Sequence, residues 1–255
     1  MPSAREALLS AAQSALADQP WSAVRMVDVA AAGGVSRQTL YNEFGSKDGL
    51  ARALVRREAD RYLHGVERLL RERADAADRL VAVAEWTVGE ARARPLLRAL
   101  LTGCWGEWLP APRPVKAGAP QSGIPAQRRA DAGPPATTEL VALVRDRSAA
   151  ALDPSRKDHG RPEHGRAEPG RTDGARGEHG RGEHGHPGHL SPVGHSRFAA
   201  YGRTELLYRC ELAMRLALAH LVAPGAEPIG PLVRTAVTAS PSALLSAPSP
   251  RAGAR

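Results

Sequence analysis

The chain has 255 residues, a formal net charge of +8 and 42% hydrophobic residues, enough for one large or two small domains with a proper core. Its two cysteines, Cys104 and Cys210, give neither a disulfide framework nor zinc-ligand spacing, and both lie in apolar helical patterns that read as buried thiols. No apolar run approaches the ~20 residues of a membrane span, and the first residues read as a polar-faced helix rather than a signal peptide, so a soluble, cytoplasmic protein with no membrane partner is expected.

In chain order, a first helix is predicted from about Ala4 to Ala17, with Leu8, Ala12, Ala15 and Leu16 inward and Asp18-Gln19-Pro20 ending it. A short helical pattern from Val24 to Ala32 offers Val29 and Ala30 to a core and stops at Gly33-Gly34, the backbone type that a tight inter-helix turn needs. Ser36 then caps a second short helix, on which Leu40 and Phe44 share one inward face with Val35. Gly45-Ser46 closes it. Lys47 to about Arg73 follows as one long helix leaving a small domain for a larger one, with Leu50, Leu54 and Tyr62 inward and its arginines outward. Ala74–Arg94 and Leu96–Cys104 are the next helices, the latter opened by Pro95. A Pro/Gly-rich loop covers 111–136, Thr137–Leu152 is helical, and Phe198–Val222 carries an apolar seam of Leu206, Cys210, Ala213, Ala217 and Leu221.

The predicted fold is therefore all-α. A three-helix N-terminal helix-turn-helix domain occupies 1–50 and a helical C-terminal domain 51–222, with a low-complexity insertion at 153–197 and a Pro/Ala/Ser-rich tail at 223–255 that reads as frayed apart from a turn near Leu232–Val237. Within the insertion, glycines recur every five residues at Gly160, Gly165 and Gly170 and again at Gly180 and Gly185, with acids and histidines in step. With almost no apolar residues it cannot offset the entropy of ordering, and disorder is expected. Seven of the nine histidines lie between His159 and His195, yet such spacing fixes no coordination geometry, so no metal site is assigned. His64 and His220 read as structural.

The short helix after Ser36 carries the chemistry. Arg37, Gln38, Thr39, Tyr41 and Asn42 fall outside its core stripe, and a guanidinium, carboxamides and hydroxyls are the groups that bond phosphates and base edges in a major groove. Lys47 stands in the first turn of the next helix against the macrodipole, which a phosphate contact would explain. Residues 1–50 nonetheless carry a formal charge of −1 (Arg5, Arg25, Arg37 and Lys47 against Glu6, Asp18, Asp28, Glu43 and Asp48). Affinity for DNA would then rest on a few placed donors and not on a broad positive field. No catalytic constellation is present: no phosphate-binding glycine loop, serine elbow or HExxH. The chain reads as no enzyme, with no cofactor.

The run Asp28-Val29-Ala30, Gly33-Gly34-Val35-Ser36, Thr39-Leu40-Tyr41, Phe44, Ser46-Lys47 and Leu50 closely resembles the signature of TetR-family transcriptional regulators, over roughly residues 4 to 64 and without insertion. It departs from that pattern at Gly33, where the family usually has alanine, and at Val24 and Arg25, where it usually has Ser or Thr; Arg25 offers a substitute phosphate contact. The resemblance implies DNA contacts from Arg25, Ser36, Arg37, Gln38, Thr39, Tyr41, Asn42 and Lys47. It implies a homodimer on a palindromic operator, with the apolar seams of Thr137–Leu152 and Phe198–Val222 facing across the twofold axis. It also implies release from DNA by a small-molecule effector in a pocket near Trp86, Leu97, Leu100, Leu101, Trp105 and Trp108, residues that read equally well as plain core. Two alternatives stay open: a metal-responsive regulator using the histidine-rich loop, and a helical interaction protein that does not bind DNA.

Overall fold

The computed structural model describes residues 3–72, 75–112, 134–153 and 202–239. The histidine-rich stretch, most of the Pro/Gly-rich loop and the tail beyond 239 lie outside the described residues. Among those described, every regular element is an α-helix: α1 Ala4–Asp18, α2 Met26–Ala32, α3 Arg37–Phe44, α4 Lys47–Glu72, α5 Ala76–Ala93, α6 Pro95–Thr102, α7 Thr137–Leu152, α8 Arg203–Val222 and α9 Ile229–Thr238.

Local chemistry explains the boundaries. Ser3 caps α1 by accepting from the Glu6 amide at 3.2 Å, and Asp75 caps α5 by accepting from the amides of Ala77 and Asp78 at 2.9 and 3.2 Å. Pro95 opens α6, where its missing N–H is no loss, and Gly103 closes it in the left-handed region (φ 73°). That closure places Cys104 beyond the helix and exposed, so of the two thiols expected to be buried only Cys210 is, and its burial pushes the thiol pKa up to about 12.

Two hydrophobic cores form. The first joins Leu8, Leu9 and Ala12 of α1 with Val29 and Ala30 of α2, Leu40 and Phe44 of α3, and Leu50, Ala53 and Leu54 of α4. The second gathers the rest of α4, from Val55 to Leu70, with α5, α6, α7, α8 and α9. In the larger core Tyr62 of α4 stacks on Trp86 of α5, their ring centroids 5.5 Å apart and their planes 4° from parallel. Gly65 makes this possible, because a β-carbon there would overlap the Trp86 indole. The Tyr62 hydroxyl is buried against Thr87 Oγ1 at 2.9 Å, and desolvation drives its pKa up.

Three further expectations change. First, the arginines of α4 are outward only in part: Arg52 is buried and Arg56 and Arg57 are half-buried, while Arg61, Arg68 and Arg71 are exposed. Arg57 instead clamps α1, donating to Glu6 Oε1 at 2.9 Å, Ser10 Oγ at 3.3 Å, the Leu9 carbonyl at 3.0 Å and Gln13 Oε1. Second, the tail contributes a helix. Ile229, Val233 and Val237 recur four apart and bury one stripe of α9 against α5 and α8, while Pro231 sits in the first turn, where a helix tolerates it. Pro/Ala/Ser composition hid a short but genuine helical period. The α9 C-terminus is held by the buried Arg209 of α8, which donates to the carbonyls of Val237 and Ala239 and, through Nε, to Glu205 at 2.7 Å. Third, the apolar seams of α7 and α8 do not face outward. Leu140, Val144, Leu206, Cys210, Ala213, Ala217 and Leu221 are all buried inside the chain's own second core, since α4, α5 and α9 cover the face left open when α7 and α8 are read alone.

Two outcomes follow for stability. Gly65→Ala should lower unfolding free energy by about 1–3 kcal/mol through overpacking and change the near-ultraviolet circular dichroism of the displaced Trp86, whereas an Ala at the open Gly89 should not. Arg209→Ala should cost about 2–3 kcal/mol by denaturant titration, because it strips partners from two carbonyls at the end of α9, and amide exchange should rise in α9 before it does in α5.

Candidate nucleic-acid interface

The α2–α3 turn is built by three consecutive backbone bonds. Gly33 donates to the Val29 carbonyl at 2.9 Å, Gly34 to that of Ala31 at 3.1 Å and Val35 to that of Ala30 at 3.1 Å. Gly34 takes the left-handed conformation (φ 65°), while Gly33 is ordinary right-handed backbone. The strict glycine requirement thus falls on Gly34. At Gly33 an alanine methyl would sit 3.2 Å from both Leu8 Cδ2 and the Val29 carbonyl oxygen, tight contacts but at a backbone conformation any residue adopts.

Ser36 caps α3 as expected, its Oγ accepting from the Thr39 amide at 3.0 Å and lying 2.9 Å from Thr39 Oγ1. Both hydroxyls are therefore engaged at the helix start, where the unsatisfied amides of the first turn suit an anionic oxygen. Leu40 and Phe44 are buried, and Val35 packs against the same core. The opposite arc of α3 exposes Arg37, Gln38, Tyr41 and Asn42, with Thr39 at its margin. Gln38 Nε2 donates to Asn42 Oδ1 at 2.9 Å, one turn apart, so the two carboxamides are mutually aligned along the exposed face.

The flanking cations are less free than the sequence suggests. Arg25 begins α2 without capping it and pairs with Asp28, Nε to Oδ2 at 2.7 Å and Nη2 to Oδ1 at 3.1 Å. The Asp28 hydrogen bond and charge hold its guanidinium pKa up. Solvent screens such an exposed pair, so a phosphate can compete with it. Lys47 is half-buried. Its ammonium donates to the Ser22 carbonyl at 3.1 Å and lies 5.3 Å from the centroid of the Trp21 ring, and desolvation draws its pKa below the usual lysine value.

Residues with no sequence signal complete the unit. Arg5 lies 4.8 Å over the Phe44 ring and 3.5 Å from Glu43 Oε2, pinning α1 to the end of α3. Trp21 and Ser22, in the α1–α2 loop, receive Lys47; neither belongs to a periodic pattern that would announce it.

The residues expected near a pocket do not form one group. Leu97, Leu100 and Leu101 are buried in the second core, and Trp86 and Trp105 pack against it. Trp108 leaves the others: α6 has ended five residues earlier at Gly103, and the indole is 55% exposed beside the first domain. Among the described residues no group of three or more His, Cys, Asp or Glu is placed to hold a metal ion, and no helix is long and apolar enough to cross a membrane.

Comparison with known proteins agrees with this unit. Residues 8–54 match the family model described as bacterial regulatory proteins, tetR family. The chain is 39% identical over 100 residues to the HTH-type transcriptional regulator AlkX of Mycobacterium tuberculosis, covering 39% of this chain and 47% of that protein. It is 37% identical over 81 residues to the HTH-type transcriptional activator FasR of Mycolicibacterium smegmatis, covering 32% of this chain and 37% of the other. The matched stretches thus span less than half the length of either relative. Among solved structures, the TetR family repressor AlkX from Dietzia sp. strain DQ12-45-1b aligns with a TM-score of 0.44 at 18% identity, over 92% of this chain and 94% of that one. The matched segment coincides with α1 to the start of α4, with the exposed polar arc of α3 at its centre, so residues 8–54 form a helix-turn-helix domain similar to that of bacterial regulatory proteins of the tetR family.

Proposed function

We propose that the protein is a homodimeric transcriptional repressor that binds a palindromic operator and is released by a small-molecule effector. The observation that carries the DNA-binding half is the composition of the α3 face. Arg37, Gln38, Tyr41 and Asn42 stand exposed on one arc of a helix whose other arc is locked into a core by Leu40 and Phe44. Such a helix presents bidentate groups at fixed spacing to base edges, with Thr39 and the Ser36 cap at the phosphate-facing end. Arg25 and Lys47 flank it as phosphate contacts. Because this domain is not itself basic, one copy supplies few ionic contacts, and pairing two copies is the simple route to useful affinity.

The outward face of α7 and α8 supports pairing better than the buried seams do. A groove lined by Val141, Ala142 and Leu218 is bordered by the Arg145–Glu211–Arg215 ion pairs, and Tyr208 and Val222 stand exposed on α8. An apolar strip with charges at its edges suits a self-complementary contact about a twofold axis. We place the effector among Trp86, Trp105 and the α6 leucines Leu97, Leu100 and Leu101. These side chains are apolar and packed together in the second core, and entry there would part α6 from α4, the helix that also carries part of the first core.

Selection of bound sequences from a random DNA pool should return an inverted repeat, and a non-repeated site or no enrichment would overturn the dimeric-operator reading. Arg37→Ala and Tyr41→Ala should each weaken binding to the selected site by about 1–3 kcal/mol and relax base preference locally. Lys47→Ala should instead weaken binding to all sequences alike and reduce the slope of log affinity against log salt by about 0.9 per protomer.

A further inference from the structure

The two domains are joined by α4, but a second connection runs outside it. After Gly103 ends α6, residues Gly103–Pro112 leave the second domain and return toward the first. Trp105 keeps its side chain against the second core. Three residues later the Trp108 carbonyl accepts a hydrogen bond of 2.9 Å from the Trp21 amide in the α1–α2 loop of the first domain. The bond is made by the Trp108 backbone carbonyl, while the residue as a whole is more than half exposed. Leu109 folds back to the Gly106 carbonyl at 3.1 Å, Ala111 to that of Leu109 at 2.9 Å, and Pro110 is buried.

The tether has little slack. Three residues of fully extended chain reach about 10 Å, and the turn at Gly106–Leu109 makes this span shorter than that. The receiving loop is stiff as well. Ala23 and Val24 donate to the carbonyls of Pro20 and Trp21 at 2.9 and 3.2 Å, and Val24 is buried in the first core. The same loop holds the Lys47 ammonium, through the Ser22 carbonyl at 3.1 Å and the Trp21 ring at 5.3 Å.

We propose that Gly103–Pro112 is an inter-domain strap and that Trp21 is a positioning residue, so that the state of the second domain reaches Lys47 through the Trp108 carbonyl, Trp21 and Ser22 in addition to α4. Rotation of the first domain about α4 has to break the Trp21–Trp108 bond. Once the loop is released, the Lys47 ammonium loses the carbonyl and ring that hold it in one place. The Lys47 part rests on the reading of that residue as a phosphate contact; the strap does not.

Two measurements on the full chain separate these parts. The first needs no DNA. Inserting a short glycine–serine stretch after the open Gly106 lengthens the strap without removing any core side chain. It should accelerate hydrogen exchange of the Trp21 amide by about tenfold or more while the interior amides of α1 and α4 keep their wild-type rates. An unchanged Trp21 rate overturns the strap. The second is a double-mutant cycle of Trp21→Ala and Lys47→Ala, read as the salt slope of operator binding. Each single change should lower the slope by about 0.9 per protomer and the pair by no more than either alone, with Trp21→Phe restoring the wild-type slope. Additive losses, or a slope in Trp21→Ala equal to wild type, overturn the positioning role. If the chain binds no DNA at all, the Lys47 part falls with the proposed function, and the exchange measurement still decides the strap.

Discussion

One helix belongs to two cores, and the rest of the molecule is arranged around that constraint. Leu50, Ala53 and Leu54 of α4 are buried with α1, α2 and α3, while Val55, Ala59, Tyr62, Leu63, Val66 and Leu70 are buried with α5 to α9. The change occurs between neighbours, Leu54 and Val55, whose side chains point about 100° apart on an α-helix. The two domains therefore cannot be packed independently: a tilt of α4 that suits one core moves side chains in the other. Close packing makes such a shift discrete, because a core close-packed like an organic crystal does not deform smoothly. The stacking of Trp86 on Tyr62 over the bare backbone of Gly65 is one place where α4 is held to a single setting.

Arginine does the polar part of this work. Arg57 ties α4 to four groups of α1, and Arg94, at the α5–α6 junction, pairs with the buried Glu58 of α4 and with Glu90 of α5 at 2.7 Å. Arg209 closes the end of α9. A planar guanidinium with five donors suits such positions, where several carbonyls and carboxylates converge from different helices. These three guanidiniums are thereby committed to bonds within the chain and are not offered to a partner. The first fifty residues carry a formal charge of −1, and their exposed polar row lies on α3.

The recognition unit was legible in the sequence because its determinants are local. Ser36 caps the residue three ahead, Leu40 and Phe44 lie one turn apart, and Gly34 and Gly45 adopt the positive φ that turns there require. The start of α2 shifted by two residues, from Val24 to Met26, since Val24 belongs to the core but sits in the loop before the helix. The misreadings share one origin. The α7 and α8 seams, Arg52, Arg56 and Arg57 of α4, the Cys104 thiol and the α9 segment all depend on what packs against them, which a segment's own pattern does not state. A helix's apolar stripe states that something covers it, not whether the cover is the same chain or a second copy. The three bonded elements α4, α5 and α9 decided that for α7 and α8.

By itself the sequence determined the all-helical class, most helix boundaries and the identity of the α3 face, because periodicity, capping and turn residues act over three to five positions. The tertiary structure decided which donors are committed and to what. Lys47 bonds to Ser22, 25 positions away; Arg57 to Leu9, 48 away; and Arg209 to Val237, 28 away. The link from Trp108 to Trp21 is of the same kind, and it is made by backbone groups that every residue but proline carries. No side-chain pattern encodes such a bond. It exists because the two cores, sharing α4, bring the segment after α6 and the α1–α2 loop to hydrogen-bonding distance.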